Sequence, residues 1–546
     1  ALARYRGKTV CPECKGKRLR KEVLFIKVNG KDIADLGNMD INQLYDFFTN
    51  IVLDEQDQSI AARILMEINS RLSTMVSIGL GYLSLQRPAS TLSGGETQRI
   101  HLTRLLGSNL TGSMYLLDEP SVGLHPRDTA NLISALKKLR NLGNTVILVE
   151  HEEEVIKHAD FLVDMGPEAG IMGGEVIFTG NYTDIETSPV NNSLTIDYLL
   201  GRKKIEVPSQ RRVSRSFLKM EKVNLHNLKD VDVTIPLNCI VCVTGVSGSG
   251  KSSLIKGVLY PTLENAIQND LTEASTNFIQ RLSGDIKRIN KVEMIDQQPI
   301  GKSSRSNPVT YVKAYDYIRD LFTSQPMSKL RGFKPKHFSF NVEGGRCETC
   351  KGEGVTVVDM QFLADVTLVC EECKGMRFKN EVLDVKYKDK NIFDVLEMDI
   401  MEAVTFFEGN NEIINRIMPL YEIGLGYVRL GQSSSSLSGG EAQRVKLASF
   451  LTKENKVAHT LFIFDEPTTG LHFEDVRKLL IAFNKLIEKG NSIIIVEHNM
   501  EVIKSSDYLI DIGPEGGAEG GEILYQGVPE GLLKVKKSHT AKYLKV

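Results

Sequence analysis

The run Gly245-Val246-Ser247-Gly248-Ser249-Gly250-Lys251-Ser252-Ser253 has the residue types of a phosphate cradle. Its glycines allow successive backbone N–H groups to turn inward around phosphate oxygens, at the start of a helix whose N-terminus favours anions. Gly245, Ser247, Gly248, Gly250, Lys251, Ser252 and Ser253 are the candidate nucleotide-binding residues. Lys251 would reach the β and γ phosphates, and Ser252 would offer its hydroxyl to Mg2+. An ordinary Gly/Ser turn would require neither the Lys-Ser ending nor the apolar run at 239–244.

Two carboxylate pairs supply the complementary chemistry. Asp118-Glu119-Pro120 and Asp465-Glu466-Pro467 each end an apolar run, 114–117 and 461–464. The Asp of each pair would hold Mg2+ through a coordinated water, and the Glu would orient and deprotonate the water that attacks a γ-phosphate. A single Asp-Glu after a strand is often only a turn or a helix cap, but here the pair recurs in register. His151 lies 33 residues after Asp118, as His498 does after Asp465 (151 − 118 and 498 − 465). Each histidine is a candidate partner for the γ-phosphate or the attacking water.

Leu-Ser-Gly-Gly-Glu precedes each pair, at Ser93-Gly94-Gly95 and Ser438-Gly439-Gly440. Ser-x-x-Glu also spells a capping box. Capping does not require the glycines, which permit close backbone approach to a ligand, so each motif is expected to form a second jaw on a nucleotide. One unit thus occurs nearly twice, and an internal repeat constrains the fold before any single residue does.

All eight cysteines occur as Cys-x-x-Cys. Cys347-x2-Cys350-x19-Cys370-x2-Cys373 has the spacing of a closed four-thiolate zinc site, structural rather than catalytic. Cys11 and Cys14 repeat its second half within Cys-x-x-Cys-Lys-Gly-x-Arg and are weaker metal candidates. Cys239 and Cys242 sit in an expected strand and read as core residues. The segment 302–346 is rich in basic residues with interleaved aromatics, which suits phosphate contact or a solvated surface equally well.

These residues need elements to hold them. Short apolar runs alternating with amphipathic segments, such as 130–142 and 476–489, indicate α/β layers around a mainly parallel sheet. At 546 residues the chain is too long for one core. The repeat suggests units at 1–201 and 216–546, a charged linker at 202–215 and a zinc-bearing insertion at about 300–436. No apolar run approaches the roughly 18 residues that cross a bilayer, and the first residues have no leader composition, so a soluble cytoplasmic protein is expected. A net charge of −2 gives no general pull toward nucleic acid. Cys370 follows Lys251 by 119 residues (370 − 251), so the first copy's phosphate loop would fall upstream of residue 1; either the first copy has lost that element or, as is expected here, the chain is a fragment of a longer protein.

Taken together, the residues resemble the UvrA family, the damage-recognition ATPases of the bacterial excinuclease within the ABC ATPase superfamily. The most specific pieces are 244–253, Asp296-Gln297-Gln298-Pro299-Ile300-Gly301, Arg305-Ser-Asn-Pro308, Phe338-Ser-Phe-Asn341, Gly344-Gly-Arg-Cys-Glu348 and Phe464-Asp-Glu-Pro-Thr-Thr-Gly-Leu-His472. The resemblance implies two ABC-type ATPase halves, the first incomplete, with inserted helical signature domains and a zinc module. It implies ATP, Mg2+ and Zn2+ as cofactors and ATP hydrolysis coupled to recognition of damaged double-stranded DNA in nucleotide excision repair. The chain itself is not expected to be the nuclease. Head-to-tail pairing would place Lys251, Gln297, Asp465, Glu466 and His498 against Ser93, Gly94 and Gly95. The other site would use Asp118, Glu119, His151, Ser438, Gly439 and Gly440 with an upstream phosphate loop. Lys302, Arg305, Arg331, Lys334, Lys336 and Arg346 become DNA-contact candidates, and a homodimer is implied. Two departures stand out. Asn192-Ser-Leu-Thr-Ile-Asp-Tyr-Leu-Leu200 replaces a Ser-Thr-Gly-Tyr-Leu-Ser-like stretch, and the region that would dock a UvrB-like partner lies outside the sequence. The alternative is a UvrA-like or other ABC ATPase acting outside repair, in drug tolerance, transport or on the ribosome.

Overall fold

The computed structural model describes residues 10–92, 94–107, 111–186, 192–301, 303, 305–358, 360, 366–452 and 459–544. The second half is built on a six-stranded sheet in the order Lys291–Ile295, Thr460–Asp465, Ser492–Val496, Ile240–Thr244, Tyr508–Gly513, Glu522–Gly527. The first five strands pair in parallel and the last is antiparallel. Ile240–Thr244, Ser492–Val496 and nearly all of Thr460–Asp465 are buried, which is why they read as unbroken apolar runs rather than alternating ones.

Successive residues of these strands feed two different cores, as the two-residue strand period demands. Val241, Val243, Ile463 and Ile494 pack with a four-stranded antiparallel sheet, in the order Val231–Pro236, Phe217–Val223, Ile279–Gly284, Ala274–Thr276. Ile240, Phe462, Phe464 and Ile495 pack instead with the helices, including Phe473–Glu488. That helix buries Val476, Leu479, Leu480, Phe483, Leu486 and Ile487, the three- and four-residue spacing of a one-sided helix. The same core runs on without a break into the region between phosphate loop and signature, through Ile318, Phe322, Phe338, Phe340, Phe378 and Ile417.

The first half repeats this plan in part. Met114–Asp118 pairs in parallel with Thr145–Val149, and Leu162–Gly166 pairs antiparallel with Glu175–Gly180. Among the described residues no strand joins the two pairs, whereas in the second half Ile240–Thr244 bridges their equivalents. The expected mainly parallel sheet is therefore found in the second half and only as two separate pairs in the first. The side chains show the physical consequence: Ile147, Val149, Val163 and Met165 are between 42 % and 64 % exposed, while Ile494, Val496, Ile510 and Ile512 at the repeated positions are at most 1 % exposed.

The segment expected as a linker, 202–215, is fastened to the second half. Arg211 pairs with Glu530 and Arg212 with Asp507, whose carboxylate also accepts the Arg212 and Ile240 N–H groups. No helix among the described residues is long and apolar enough to cross a membrane.

Candidate nucleotide-binding site and zinc module

The phosphate loop leaves the central strand Ile240–Thr244 and enters a helix whose first turns, Ser253–Leu259, are wound as a π-helix. Gly245 has φ +135°, and a Cβ there would sit 1.9 Å from the Ile512 carbonyl oxygen, so only glycine fits. Lys251 is buried, with Nζ donating to the Gly245 and Val246 carbonyls at 2.9 and 3.0 Å. Burial pushes its pKa down to about 8, against the pull of Glu466, Asp128, Asp511 and Asp465. The Ser247 and Ser249 hydroxyls are buried with no hydrogen-bond partner among the described residues. Buried hydroxyls are normally bonded, so these two unpaired donors in the glycine-rich turn before Lys251 fit a nucleotide phosphate.

Asp465 and Glu466 leave the end of the neighbouring strand. Lys256 Nζ lies 2.5 Å from the Asp465 carboxylate. Glu466 is held at φ +45°, as is Glu119 at the repeated position, a left-handed backbone that is uncommon for non-glycine residues. Burial, with Asp465 and Glu497 adding repulsion, pushes the Glu466 carboxyl up to about 7. Burial followed by Asp118 raises that of Glu119. His498 is buried, its pKa driven well down by desolvation and then by Lys251, and its Nδ1 has no partner among the described residues. Gln297 donates to the Glu466 carbonyl at 3.3 Å and to Thr469 Oγ1 at 3.1 Å, and it lies against Gly439.

The first half closes over this site. Tyr82 lies flat on the phosphate loop, since a Cβ on Gly248 would meet its ring at 2.6 Å, and it also covers Gly516 and Gly517. Its hydroxyl donates to Glu96 of the signature helix Gly94–Leu106 at 2.6 Å, and Arg87 pairs with the same carboxylate. Ser93 lies outside the described residues. Arg127 reaches Glu515 at 2.5 Å, and Asp128 is among the charges acting on Lys251. In the repeated arrangement, Ser438 and Glu441 form the capping box that the motif also spells, His151 Nε2 is 3.6 Å from Glu119, and Tyr427 covers Gly170 as Tyr82 covers Gly517. The second signature glycines answer a protein contact: a Cβ on Gly95 or Gly440 would stand 2.5 or 2.8 Å from the carbonyl of Val122 or Thr469 in its own half. A cavity of about 760 Å³ between the halves is lined by Glu119, His151, Glu466 and His498.

Cys347, Cys350, Cys370 and Cys373 are buried with their Sγ atoms all within 4.8 Å of one another. The Cys347–Cys370 and Cys350–Cys373 separations are 3.9 and 3.6 Å. Zn–S bonds of about 2.3 Å in a tetrahedron require edges of about 3.8 Å, so the four thiols fit a zinc ion. Lys374, Gly375 and Arg377 turn the chain with φ of +49°, +87° and +67°, and Lys15, Gly16 and Arg18 after Cys14 repeat this with +47°, +85° and +62°. Cys11 is exposed and Cys14 partly so, with no further ligand beside them among the described residues. Cys239 and Cys242 are buried in different cores, as expected for positions on opposite strand faces.

The basic candidates separate. Lys334 and Lys336 are exposed. Arg305 pairs with Glu353, and Arg331 with Asp384 and the Glu381 carbonyl. The Arg346 side chain is only 11 % exposed, bonded to the Asn341 carbonyl and beside Glu343 and Glu348. Lys302 lies outside the described residues.

Several site residues escaped the sequence reading: Tyr82, Gly123, His125, Lys256 and the pair Glu150 and Glu497. Glu497 accepts N–H groups from Thr468, His498 and Asn499 at 2.7 to 3.0 Å, tying the loop after Glu466 to the histidine, and Glu150 accepts from Ser121 and His151 in the same way. The signal that could have found them is repetition. Gly-Leu-Gly-Tyr occurs at 79–82 and 424–427, and Gly-Leu-His at 123–125 and 470–472.

Comparison with known proteins adds independent findings. The chain is 50 % identical over 538 residues to UvrABC system protein A of Aquifex aeolicus, covering 98 % of this chain and 58 % of that protein. It is 48 % identical over 545 residues to the protein of that name from Clostridium perfringens, covering all of this chain and 57 % of that one. Its structure is similar to the crystal structure of UvrA2 from Deinococcus radiodurans, with TM-score 0.89 and 42 % identity over 98 % of this chain and 65 % of that chain. No protein-family model matches. The chain thus spans a little over half the length of the curated relatives it matches.

Proposed function

Since the chain belongs to the UvrA family along nearly its whole length, we propose that it is part of an ATP-hydrolysing, DNA-binding subunit of the bacterial excinuclease that recognises damaged duplex in nucleotide excision repair. The observation that carries the ATPase reading is the closure of the second half's phosphate loop by the first half, with Tyr82 on Gly248 and Gly123 against Glu466. ATP would be held by Gly245 to Ser253 and faced by the first half's signature, Ser93 to Gly95. Mg2+, bound through Ser252 and Asp465, would neutralise charge on the phosphate oxygens. Glu466, with a carboxyl raised by burial, suits a general base near neutral pH. His498 would hold the γ-phosphate end, and Gln297 would connect the site to the inserted region.

For the second site, Asp118, Glu119, His151 and the signature Ser438 to Gly440 need a phosphate loop. The open edges of Thr145–Val149 and Leu162–Gly166, with their exposed apolar side chains, suit a parallel strand carrying one. The four-thiolate module would hold Zn2+ and place Lys334 and Lys336 for contact with DNA phosphates. A cytoplasmic homodimer working with a UvrB-like partner completes the reading.

The test is ATP turnover with and without damaged duplex. Glu466→Gln should abolish hydrolysis and keep ATP binding. Turnover indifferent to DNA, with no duplex bound, would transfer the chain to the class of non-repair ABC ATPases.

A further inference from the structure

The pattern Ser-x-Thr-x-x-Tyr occurs twice, at Ser193, Thr195 and Tyr198 and at Ser538, Thr540 and Tyr543; both tyrosines line the cavity between the halves, and the hydroxyls of Thr195 and Thr540 have no role in the nucleotide chemistry described above. In the second half, Thr540 Oγ1 donates to Asp511 Oδ1 at 3.2 Å and lies 3.1 Å from His125 Nε2 of the opposite half. The His125 ring lies edge to face with Tyr543 at 6.0 Å and with His498 at 5.9 Å. In the first half, Ser193 and Thr195 donate to Asp164, the latter at 3.0 Å, and Thr195 Oγ1 lies 3.3 Å from His472 Nε2 of the second half. His472 lies edge to face with Tyr198 at 6.1 Å and with His151 at 6.3 Å. Every member of one relay has its counterpart in the other.

The proton positions follow from the partners. His125 Nδ1 accepts the Arg127 backbone N–H at 3.2 Å, and His472 Nδ1 accepts that of Glu474 at 3.3 Å. Each ring therefore carries its hydrogen on Nε2 and donates it to the threonine oxygen, whose own hydrogen goes to the aspartate. One tautomer satisfies each histidine and each threonine. The aspartates sit on strands of their own half, Asp511 on Tyr508–Gly513 and Asp164 on Leu162–Gly166, so the sheet of one half fixes the ring of the other.

Resting on the composite-site reading, we propose that Thr540 with Asp511, and Thr195 with Asp164, are positioning residues for ATP hydrolysis: each pair locks the loop histidine of the opposite half in one tautomer, and that ring aligns the neighbouring γ-phosphate histidine when the halves are closed. The relay ties alignment of His498 to the presence of the partner half. It would also let the two sites sense each other through His125 and His472.

The test uses the whole chain with Thr540→Val, which removes the hydroxyl at nearly constant volume, and Thr540→Ser, which restores it. Thr540→Val should lower kcat about 10-fold with the ATP KM changed by less than about 2-fold, the size expected when an orienting hydrogen bond is removed. Thr540→Ser should retain most of the turnover. Nitrogen-15 histidine spectra should show His125 as the Nε2–H tautomer in the wild type and the Ser variant, and as a mixture in the Val variant. Equal turnover in wild type and Thr540→Val, equal impairment of both variants, or an unchanged His125 tautomer in Thr540→Val would overturn the relay. A wild type that binds no ATP would overturn the composite site and the catalytic part of the proposal, while the tautomer readout would still decide the relay.

Discussion

Gly123 of the first half lies so close to Glu466 of the second that a Cβ on it would stand 2.9 Å from Glu466 Oε2, and Gly470 stands in the same relation to Glu119. Each of the two glutamates proposed for hydrolysis is thus packed against a glycine from the opposite copy. Both glycines also have left-handed backbone, φ +68° and +65°.

Gly123→Ala should therefore displace Glu466 and strain its own loop. The expected outcome is a kcat lowered about 10- to 100-fold, the cost of moving a catalytic group by a fraction of an ångström to an ångström. ATP affinity, set mainly by the phosphate loop, should change little. Steady-state turnover combined with equilibrium binding of nucleotide separates the two.

The histidines between the halves predict a pH effect. Burial drives His125 well below its ordinary pKa, with Lys251, Arg127 and His539 adding repulsion. Asp511 faces it through Thr540. The unfolded imidazole takes up a proton near pH 6.5 that the folded one refuses, so His125 costs stability as pH falls below that value, by up to about 1.4 kcal/mol per pH unit. Glu466, raised by burial, acts with the opposite sign through an overlapping range. The check is accordingly the difference between wild type and His125→Gln in denaturant unfolding from pH 7.5 to 5. The wild type should lose stability relative to the variant on acidification.

The metal module yields a third expectation. The hairpin Val355–Val358 with Val366–Val369 rises from the cysteine knuckles, and Val366, Leu368 and Val369 are 42 % to 64 % exposed. A two-stranded hairpin with exposed apolar side chains is not stable alone, so the thiolate cluster at its base is expected to hold it. Cys350→Ser or zinc chelation should abolish bound zinc and expose this hairpin to rapid hydrogen exchange. Cys242→Ser should keep the metal, because Cys242 belongs to the sheet core.

Among the basic residues, Lys334→Ala with Lys336→Ala should weaken duplex binding and reduce the salt slope by about one for each DNA phosphate no longer neutralised. Arg346→Ala should chiefly destabilise the knuckle, since its guanidinium is already engaged with Asn341 and lies beside Glu343 and Glu348. Salt-titrated DNA binding and thermal unfolding of the three variants distinguish the roles.

Much of this was legible in the sequence because the chemistry is local. The phosphate loop, the Asp-Glu pairs and the cysteine spacing each reside in a few adjacent residues, and the strands that carry them, such as Ile240–Thr244 and Thr460–Asp465, are apolar enough to read directly. What was not legible depends on apposition. Tyr82 meets Gly248 across 166 positions (248 − 82), and His125 meets Thr540 across 415. No periodicity encodes such pairs, although their duplication left a trace. The division of the first sheet into two pairs was legible only indirectly: Val149 and Met165 have the same apolar character as their buried counterparts, but the lack of a first-copy phosphate loop in the sequence already marked that half as incomplete.

The inserted region and the second sheet are one continuous interior, from Phe338 and Phe378 to Phe464 and Phe483. The four cysteines cluster apart from that interior, but the helices beside them belong to it, and close-packed side chains transmit displacement rather than absorb it. A shift of those helices is therefore handed on through Phe462 and Phe464 to the strand that ends in Asp465, beside Glu466.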